Sequence, residues 1–334
     1  MQTFAFNRAT SAEQAIQLGA GSQTAQQGAS VRFIAGGTTL TDLMKLGVEH
    51  PQQLVDINRL PLAEVTTTQD GGLQVGALVR NSDLAQHADV KARYAVLSEA
   101  LLSGASAQLR NMASTAGNLL QRTRCTYFRD NLSPCNKREP GTGCAAIGGI
   151  NRTLAIFGTS EHCIASNPSD MNVALTALQA EIHISGATGE RSVPIDDFFL
   201  LPGATPDQEN VLQPGDLITA VTLPAPLPGA RSGYLKLRDR ASYEFALASA
   251  AVVLQIADGR VQQARVALGG VGTKPWRSLA AEQALIGAPA SAATWQAAAQ
   301  AAVQGAQPQS ENGFKIELAK RCVAQALANV AALA

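Results

Sequence analysis

The chain has 334 residues and a mass of 34.7 kDa, room for two or three compact units rather than one. Its 26 basic and 26 acidic side chains cancel without any basic block, which argues against nucleic-acid or anionic-membrane binding as its main task. With 46% apolar and 16% charged residues it can bury a substantial core, and little of it reads as disordered.

In chain order, a short strand from Thr3 to Phe6 precedes a helix capped by Thr10 or Ser11, with Glu13 in its first turn. The opening MQTFAFNRATSAEQ has no cationic segment followed by an apolar run, so it reads as no signal peptide. Nor is there a stretch of about twenty uninterrupted apolar residues to span a membrane. A strand from Val31 to Ala35 then runs through Gly36-Gly37-Thr38-Thr39 into a helix, Leu40 to Leu46. Strands follow at Leu54 to Ile57 and Leu73 to Ala77, and the alternation implies an α/β arrangement.

From Tyr94 to Leu109 the pattern is helical, and it ends before the small-residue turn Ser114-Thr115-Ala116-Gly117-Asn118. A long stretch of poor periodicity occupies Gln121 to about Ile164; such length is unusual unless the segment is functional or covalently tied down. Asn167-Pro168-Ser169-Asp170 forms a turn and cap before a helix from Met171 to Leu178, and Glu181 to Ile184 looks like a strand. The Pro-rich run Leu223 to Gly229 suggests a linker. Beyond it, Phe245 to Ile256 and Val261 to Leu268 read as antiparallel strands, and Ser291 to Ala306 and Phe314 to Leu333 as helices.

Where a glycine turn enters a helix, freed backbone N–H groups favour an anion, so Ala35 to Leu40 can hold a phosphate or serve as simple turn chemistry. The Ser114 to Asn118 turn offers further donors, and two such sites suit a dinucleotide. The spacing does not match the Gly-x-Gly-x-x-Gly fingerprint, so a Rossmann site is not supported.

Four of the five cysteines, Cys125, Cys135, Cys144 and Cys163, fall inside the irregular stretch. Their intervals of 9, 8 and 18 residues lack the tight knuckle of structural zinc sites. Disulfides need an oxidising compartment, which nothing in the sequence directly indicates. Unrelated buried thiols fit poorly with an irregular segment, and a 4Fe-4S cluster on four thiolates is the fourth reading. Such a cluster is anionic, and between Gln121 and Arg152 the residues Arg122, Arg124, Arg129, Lys137, Arg138 and Arg152 face only Asp130 and Glu139. Cys322 lies on a helical pattern and reads as a core thiol, His162 as solvated or capping, and Trp276 as core packing.

Three runs carry a resemblance: Phe33-Ile34-Ala35-Gly36-Gly37-Thr38-Thr39-Leu40 with Asp42-Leu43-Met44-Lys45, Thr115 to Cys125, and Pro134-Cys135-Asn136-Lys137-Arg138. Arg238 to Tyr243 and Ala267 to Val271 extend it through nearly the whole chain. With them the chain resembles the FAD-binding subunit of molybdenum hydroxylases, and more narrowly the medium subunit of bacterial periplasmic aldehyde oxidases of the xanthine dehydrogenase family. The resemblance implies an α/β and α+β chain with a PCMH-type FAD-binding domain over residues 1–224, in subdomains of about 1–58 and 59–224. A 4Fe-4S-binding insertion would occupy about 121–165 and a small C-terminal domain 229–334, with an antiparallel sheet and helices.

By the same resemblance, Phe33, Ile34, Ala35, Gly36, Gly37, Thr38, Thr39 and Leu40 would wrap the FAD pyrophosphate, and Gly104 with Ser114, Thr115, Ala116, Gly117 and Asn118 would line the other side. Asp170, Ile218 and Lys236 match positions near the cofactor in relatives, and Cys125, Cys135, Cys144 and Cys163 match 4Fe-4S ligands, with Tyr127 and Phe128 shielding the cluster. The chain would be the flavin stage of a heterotrimer, with no catalytic residue of its own, beside a large molybdenum-cofactor subunit and a small 2Fe-2S subunit. Without a signal of its own it would reach the periplasm by co-export with the small subunit; the cytoplasm is the alternative. The rival functions are a non-redox interaction subunit holding a structural metal or disulfides, and a self-sufficient flavin oxidase.

Overall fold

A computed structural model describes residues 1–333. The first subdomain is a three-stranded parallel sheet: β1 (Ala5–Arg8), α1 (Ala12–Gly19), β2 (Val31–Ile34), α2 (Leu40–Leu46) and β3 (Gln53–Asp56), in the order β1-β3-β2. Ser11 caps α1 by accepting from the Gln14 N–H, and Gly47, at φ 70°, ends α2 in the left-handed conformation.

The second subdomain is built on an antiparallel sheet. Its elements are β4 (Val65–Thr67), β5 (Leu73–Gly76), α3 (Asn81–Gln86), α4 (Ala88–Arg93), α5 (Ala95–Ser103), α6 (Ala107–Met112), α7 (Thr115–Leu119), α8 (Thr126–Arg129), α9 (Asp170–Leu178), β6 (Glu181–Gly186), β7 (Gly189–Pro194), α10 (Ile195–Phe198) and β8 (Leu217–Leu223). The strand order is β4-β5-β8-β6-β7. The single helix expected from Tyr94 to Leu109 is two. The chain breaks at Gly104 and at Ala105, which takes φ 50°, and Ser106 then caps α6 through the Leu109 N–H.

A smaller C-terminal domain follows: β9 (Arg231–Leu237), β10 (Ala248–Ala257), β11 (Arg260–Gly269), β12 (Trp276–Arg277), α11 (Leu279–Leu285), α12 (Ala292–Ala302) and α13 (Phe314–Ala331). Its antiparallel sheet runs β12-β11-β10-β9. Strand β10 is apolar at nearly every position because both faces are covered. Ala250, Val252 and Leu254 pack beneath the C-terminal helices, whereas Ala251 and Val253 enter the core of the second subdomain. That shared core seats the C-terminal domain against α5 and α9. The fold is the two-subdomain PCMH type followed by a smaller sheet-and-helix domain, as the resemblance implies. Among the described residues no helix is long and apolar enough to cross a membrane.

Candidate functional site

Where the glycine turn after β2 meets the turn before α7, a cleft of about 180 Å³ opens between the two subdomains. Gly36 approaches so closely that a Cβ there would collide with the Met112 carbonyl, and Gly37 takes φ 71°, which a side chain would resist. Arg80 fastens the two walls: it donates to the Met112 carbonyl at 2.5 Å and to Asn58 Oδ1 at 2.9 Å, while Asn58 Nδ2 donates to the Ala35 carbonyl at 3.0 Å. Thr39 begins α2 without a side-chain capping bond, leaving its hydroxyl free for a ligand.

A second cleft, of about 240 Å³, continues from the first through Thr38, Thr39, Ala113 and Gly117 and runs between the second subdomain and the C-terminal domain. Phe33, Ile34, Ala35, Gly36, Gly37, Leu40 and Ser114 line the first cleft, Gly104, Asn118 and Asp170 the second. Thr115 and Ala116 line neither; their N–H groups bond the Val79 and Ala77 carbonyls at 2.9 Å each and hold the turn in place. Ile218 also lines neither cleft and lies in the core of the second subdomain.

Lys236 lines neither cleft, and its ammonium is spent on Asp170 Oδ2 at 2.7 Å and the Ser103 carbonyl at 3.1 Å. Tyr234 donates to the other Asp170 oxygen at 2.6 Å. Burial, and then the adjoining Asp170 carboxylate, push the Tyr234 phenol well above its ordinary pKa, so the tyrosine stays a donor. The cap of α9 is Ser169 rather than Asp170; its hydroxyl accepts from the Asn172 N–H at 3.1 Å. Asp170 is the first helical residue, which leaves both carboxylate oxygens to Tyr234 and Lys236.

The irregular segment folds against the first subdomain. Cys125, Cys135 and Cys163 are buried in one apolar cluster with Leu43, Val48, Phe128, Leu154 and Ile164, and Cys144 and Tyr127 pack against it. Cys135 and Cys144 face each other across an isolated antiparallel bridge, and all five cysteines are free thiols. Burial pushes the Cys125 thiol up to about 11 and raises that of Cys163, where Lys137 opposes it. Among the described residues no three His, Cys, Asp or Glu side chains converge on a single metal-ion position.

The basic excess read along this segment is compensated by carboxylates from elsewhere. Arg122 pairs with Glu49 at 2.7 Å and with Glu209, Lys137 with Glu209 at 3.0 Å, Arg124 and Arg129 with Asp42, and Arg152 with Asp239 at 2.7 Å. Arg138 instead donates to the backbone carbonyls of Tyr127, Phe128 and Ser133. His162 is exposed, Trp276 stacks on Phe157 with centroids 5.1 Å apart, and Cys322 is in the core.

A family model described as the FAD binding domain in molybdopterin dehydrogenase matches residues 2–226. The chain belongs to this family. The flavoprotein's remaining part, residues 233–330, matches the CO dehydrogenase flavoprotein C-terminal domain. The flavoprotein is 51% identical over 337 residues to the aldehyde oxidoreductase FAD-binding subunit PaoB of Escherichia coli (strain K12), covering 100% of both chains. It is 29% identical to the glyceraldehyde dehydrogenase medium chain of Sulfolobus acidocaldarius, over 85% of this chain and 81% of the relative. Its structure is similar to carbon monoxide dehydrogenase from Hydrogenophaga pseudoflava, with a TM-score of 0.77 and 26% identity, covering 99% of this chain and 98% of that one. The flavoprotein is thus an FAD-binding, electron-transfer-type subunit of a molybdenum-dependent oxidoreductase.

The cleft fits FAD on two structural observations. Gly36 and Gly37 form a turn that side chains would obstruct, and three cleft-lining residues each carry a buried polar atom with no partner within the chain: Arg122 Nη2 at the first, Asn81 Oδ1 and Arg124 Nε at the second. The sequence by itself assigned none of the three to the flavin site. Nor did it find Gln26, Gln27, Glu49 and Glu209, which line the first cleft from three separate parts of the chain. Arg122 lay inside a resemblance motif, but only its partners, 73 and 87 residues away, reveal its role.

Proposed function

We propose that this flavoprotein is the FAD- and 4Fe-4S-containing electron-transfer subunit of a molybdenum-dependent aldehyde oxidase or dehydrogenase, acting beside a large molybdenum-cofactor subunit and a small 2Fe-2S subunit. The observation that carries the flavin part is the continuous two-part cleft with the glycine-threonine turn at its waist. FAD, when bound, supplies the exchange between one-electron and two-electron carriers that a relay toward a terminal acceptor needs. The chain's residues bind and orient it. The turn Phe33 to Leu40, with the Thr38 and Thr39 hydroxyls, would hold the pyrophosphate, and the Ser114 hydroxyl would face it across the first cleft. Thr115 and Ala116 hold their turn in place through the Val79 and Ala77 carbonyls, Arg80 fixes the spacing, and Asp170, steadied by Tyr234 and Lys236, lines the second cleft. No general base or nucleophile is required of this chain. The aldehyde substrate class and the role as one subunit of a larger enzyme rest on the 51% identity to the E. coli aldehyde oxidoreductase FAD-binding subunit, and the three-subunit composition rests on the family resemblance of the sequence motifs.

The 4Fe-4S assignment is supported by the donor set: three thiols within one apolar cluster and a fourth packed against it, with the Ala165 N–H 3.5 Å from Cys163 Sγ and Phe128 fully buried beside them. Anaerobic purification followed by visible absorbance and metal analysis tests both parts, with about one FAD and about four irons per chain expected. A colourless protein that cannot be reconstituted overturns the reading. An iron-free yellow protein leaves only the flavin part. Periplasmic residence by co-export is part of the same proposal; its test is fractionation of cells with and without the small subunit's N-terminal segment.

A further inference from the structure

The flavin cleft and the cysteine pocket share a wall. Helix α2, which leaves the glycine-threonine turn, places Leu43 in the lining of the first cleft and in the apolar cluster around Cys125 and Phe128. Asp42 on the same helix takes ion pairs from Arg124 and Arg129, on either side of Cys125, and the Leu46 carbonyl accepts from Asn131 Nδ2 at 2.6 Å. The cysteine segment therefore fixes the charge and the C-terminal end of the helix whose N-terminal end carries the phosphate turn.

Arg122 makes the second connection. Its guanidinium lies 4.6 Å over the Phe128 ring, which is fully buried in the cysteine pocket. Two of its nitrogens are held by Glu49, Glu209 and Gln27, while Nη2 is buried and unpartnered, and the residue lines the first cleft. An unpartnered buried guanidinium nitrogen is costly unless a ligand accepts from it. The segment that presents it, residues 121–165, contains one four-residue helix, so little regular structure holds it in place.

We infer that the two sites form one coupled binding unit, joined through α2 and the Arg122–Phe128 contact, so that filling the cysteine pocket tightens FAD binding and FAD in turn tightens metal retention. This rests on the reading that the four thiols take an iron-sulfur cluster. Coupling of this kind is reciprocal: the factor by which one ligand changes the affinity of the other is the same in both directions.

The test uses the full-length chain under anaerobic conditions. FAD affinity is measured by quenching of flavin fluorescence in iron-loaded wild type, in iron-stripped wild type and in Cys135→Ser, and iron retained at a fixed chelator concentration is measured with and without FAD. The expected result is FAD binding weakened about tenfold without iron, a matching rise in iron retention with FAD, and a much smaller factor in Arg122→Gln. Should Arg122→Gln fail to fold by circular dichroism, Phe128→Leu interrupts the same contact with the guanidinium kept. Equal FAD affinity with and without iron, when both cofactors bind, overturns the coupling and leaves the functional reading intact. A factor undiminished in the variants overturns the route through Arg122. A chain that binds FAD but never takes up iron overturns the cluster reading and the coupling together.

Discussion

Lys236 Nζ lies 2.7 Å from Asp170 Oδ2, a buried ion pair that ties β9 of the C-terminal domain to the first turn of α9 at the second cleft. Arg238, also from the C-terminal domain, adds a bond to the Ser103 carbonyl at 3.1 Å, where Lys236 also donates. The wall of the second cleft is therefore assembled across two domains. Lys236→Met leaves the Asp170 carboxylate buried with one partner fewer and should cost about 3–5 kcal/mol in a urea melt. FAD content should fall with it, and Asp170→Asn in the same chain should recover part of the stability. A Lys236→Met protein of wild-type stability would contradict this account.

The glycine turn predicts a separable pair of effects. Gly36→Ala drives a Cβ toward the Met112 carbonyl, and the resulting shift between subdomains should destabilise by about 1–3 kcal/mol and weaken FAD binding. Thr39→Val removes a hydroxyl that does no capping work. It should lower FAD affinity in a fluorescence titration and leave the unfolding midpoint unchanged; a lowered midpoint would show that Thr39 serves the fold.

Glu209 gives the acid limb of stability a specific origin. Burial alone would push its carboxyl up, but Arg122 and then Lys137 outweigh burial and hold it at about 2, against an ordinary value of 4.5. A carboxyl with a depressed folded-state pKa contributes stability that is fully present above its unfolded pKa and lost as pH falls toward the folded one. The contribution is at most about 3 kcal/mol and should disappear between about pH 4.5 and pH 2. Unfolding midpoints of wild type and Glu209→Gln should therefore converge through that window. A difference independent of pH would remove Glu209 as its source.

The five thiols should divide four to one. Cys135→Ser is expected to abolish the 4Fe-4S signal in electron paramagnetic resonance while 2Fe-2S signals of a partner persist. Cys322→Ala, in the apolar core of the C-terminal domain with Sγ 3.6 Å from the Leu235 carbonyl, should leave iron unchanged and cost about 1 kcal/mol. Iron loss in Cys322→Ala would reassign that thiol.

By itself the sequence determined what depends on near neighbours. The strand, glycine turn and helix at Val31 to Leu46, the cap at Ser11 and the β10–β11 hairpin follow from hydrophobic period and turn chemistry, which act over a few residues. Strands β8 and β9 were not legible: they flank a Pro-rich run that reads as a linker, yet β8 is the centre of a five-stranded sheet. The kink at Gly104 and Ala105 was hidden because an apolar helical pattern continues across it.

Only the tertiary structure decided how charges and polar groups are spent. Arg122 reads as part of a basic stretch until Glu49 and Glu209 arrive from distant parts of the chain, and Lys236, which the resemblance puts near the cofactor, is seen only in the structure to pair with Asp170. Charge pairing is set by proximity in space and by loss of solvent, and neither is encoded in spacing along the chain. The two glycine-bearing turns were visible one at a time. Their meeting across the subdomains, which makes the site, comes from packing between elements that local sequence does not specify.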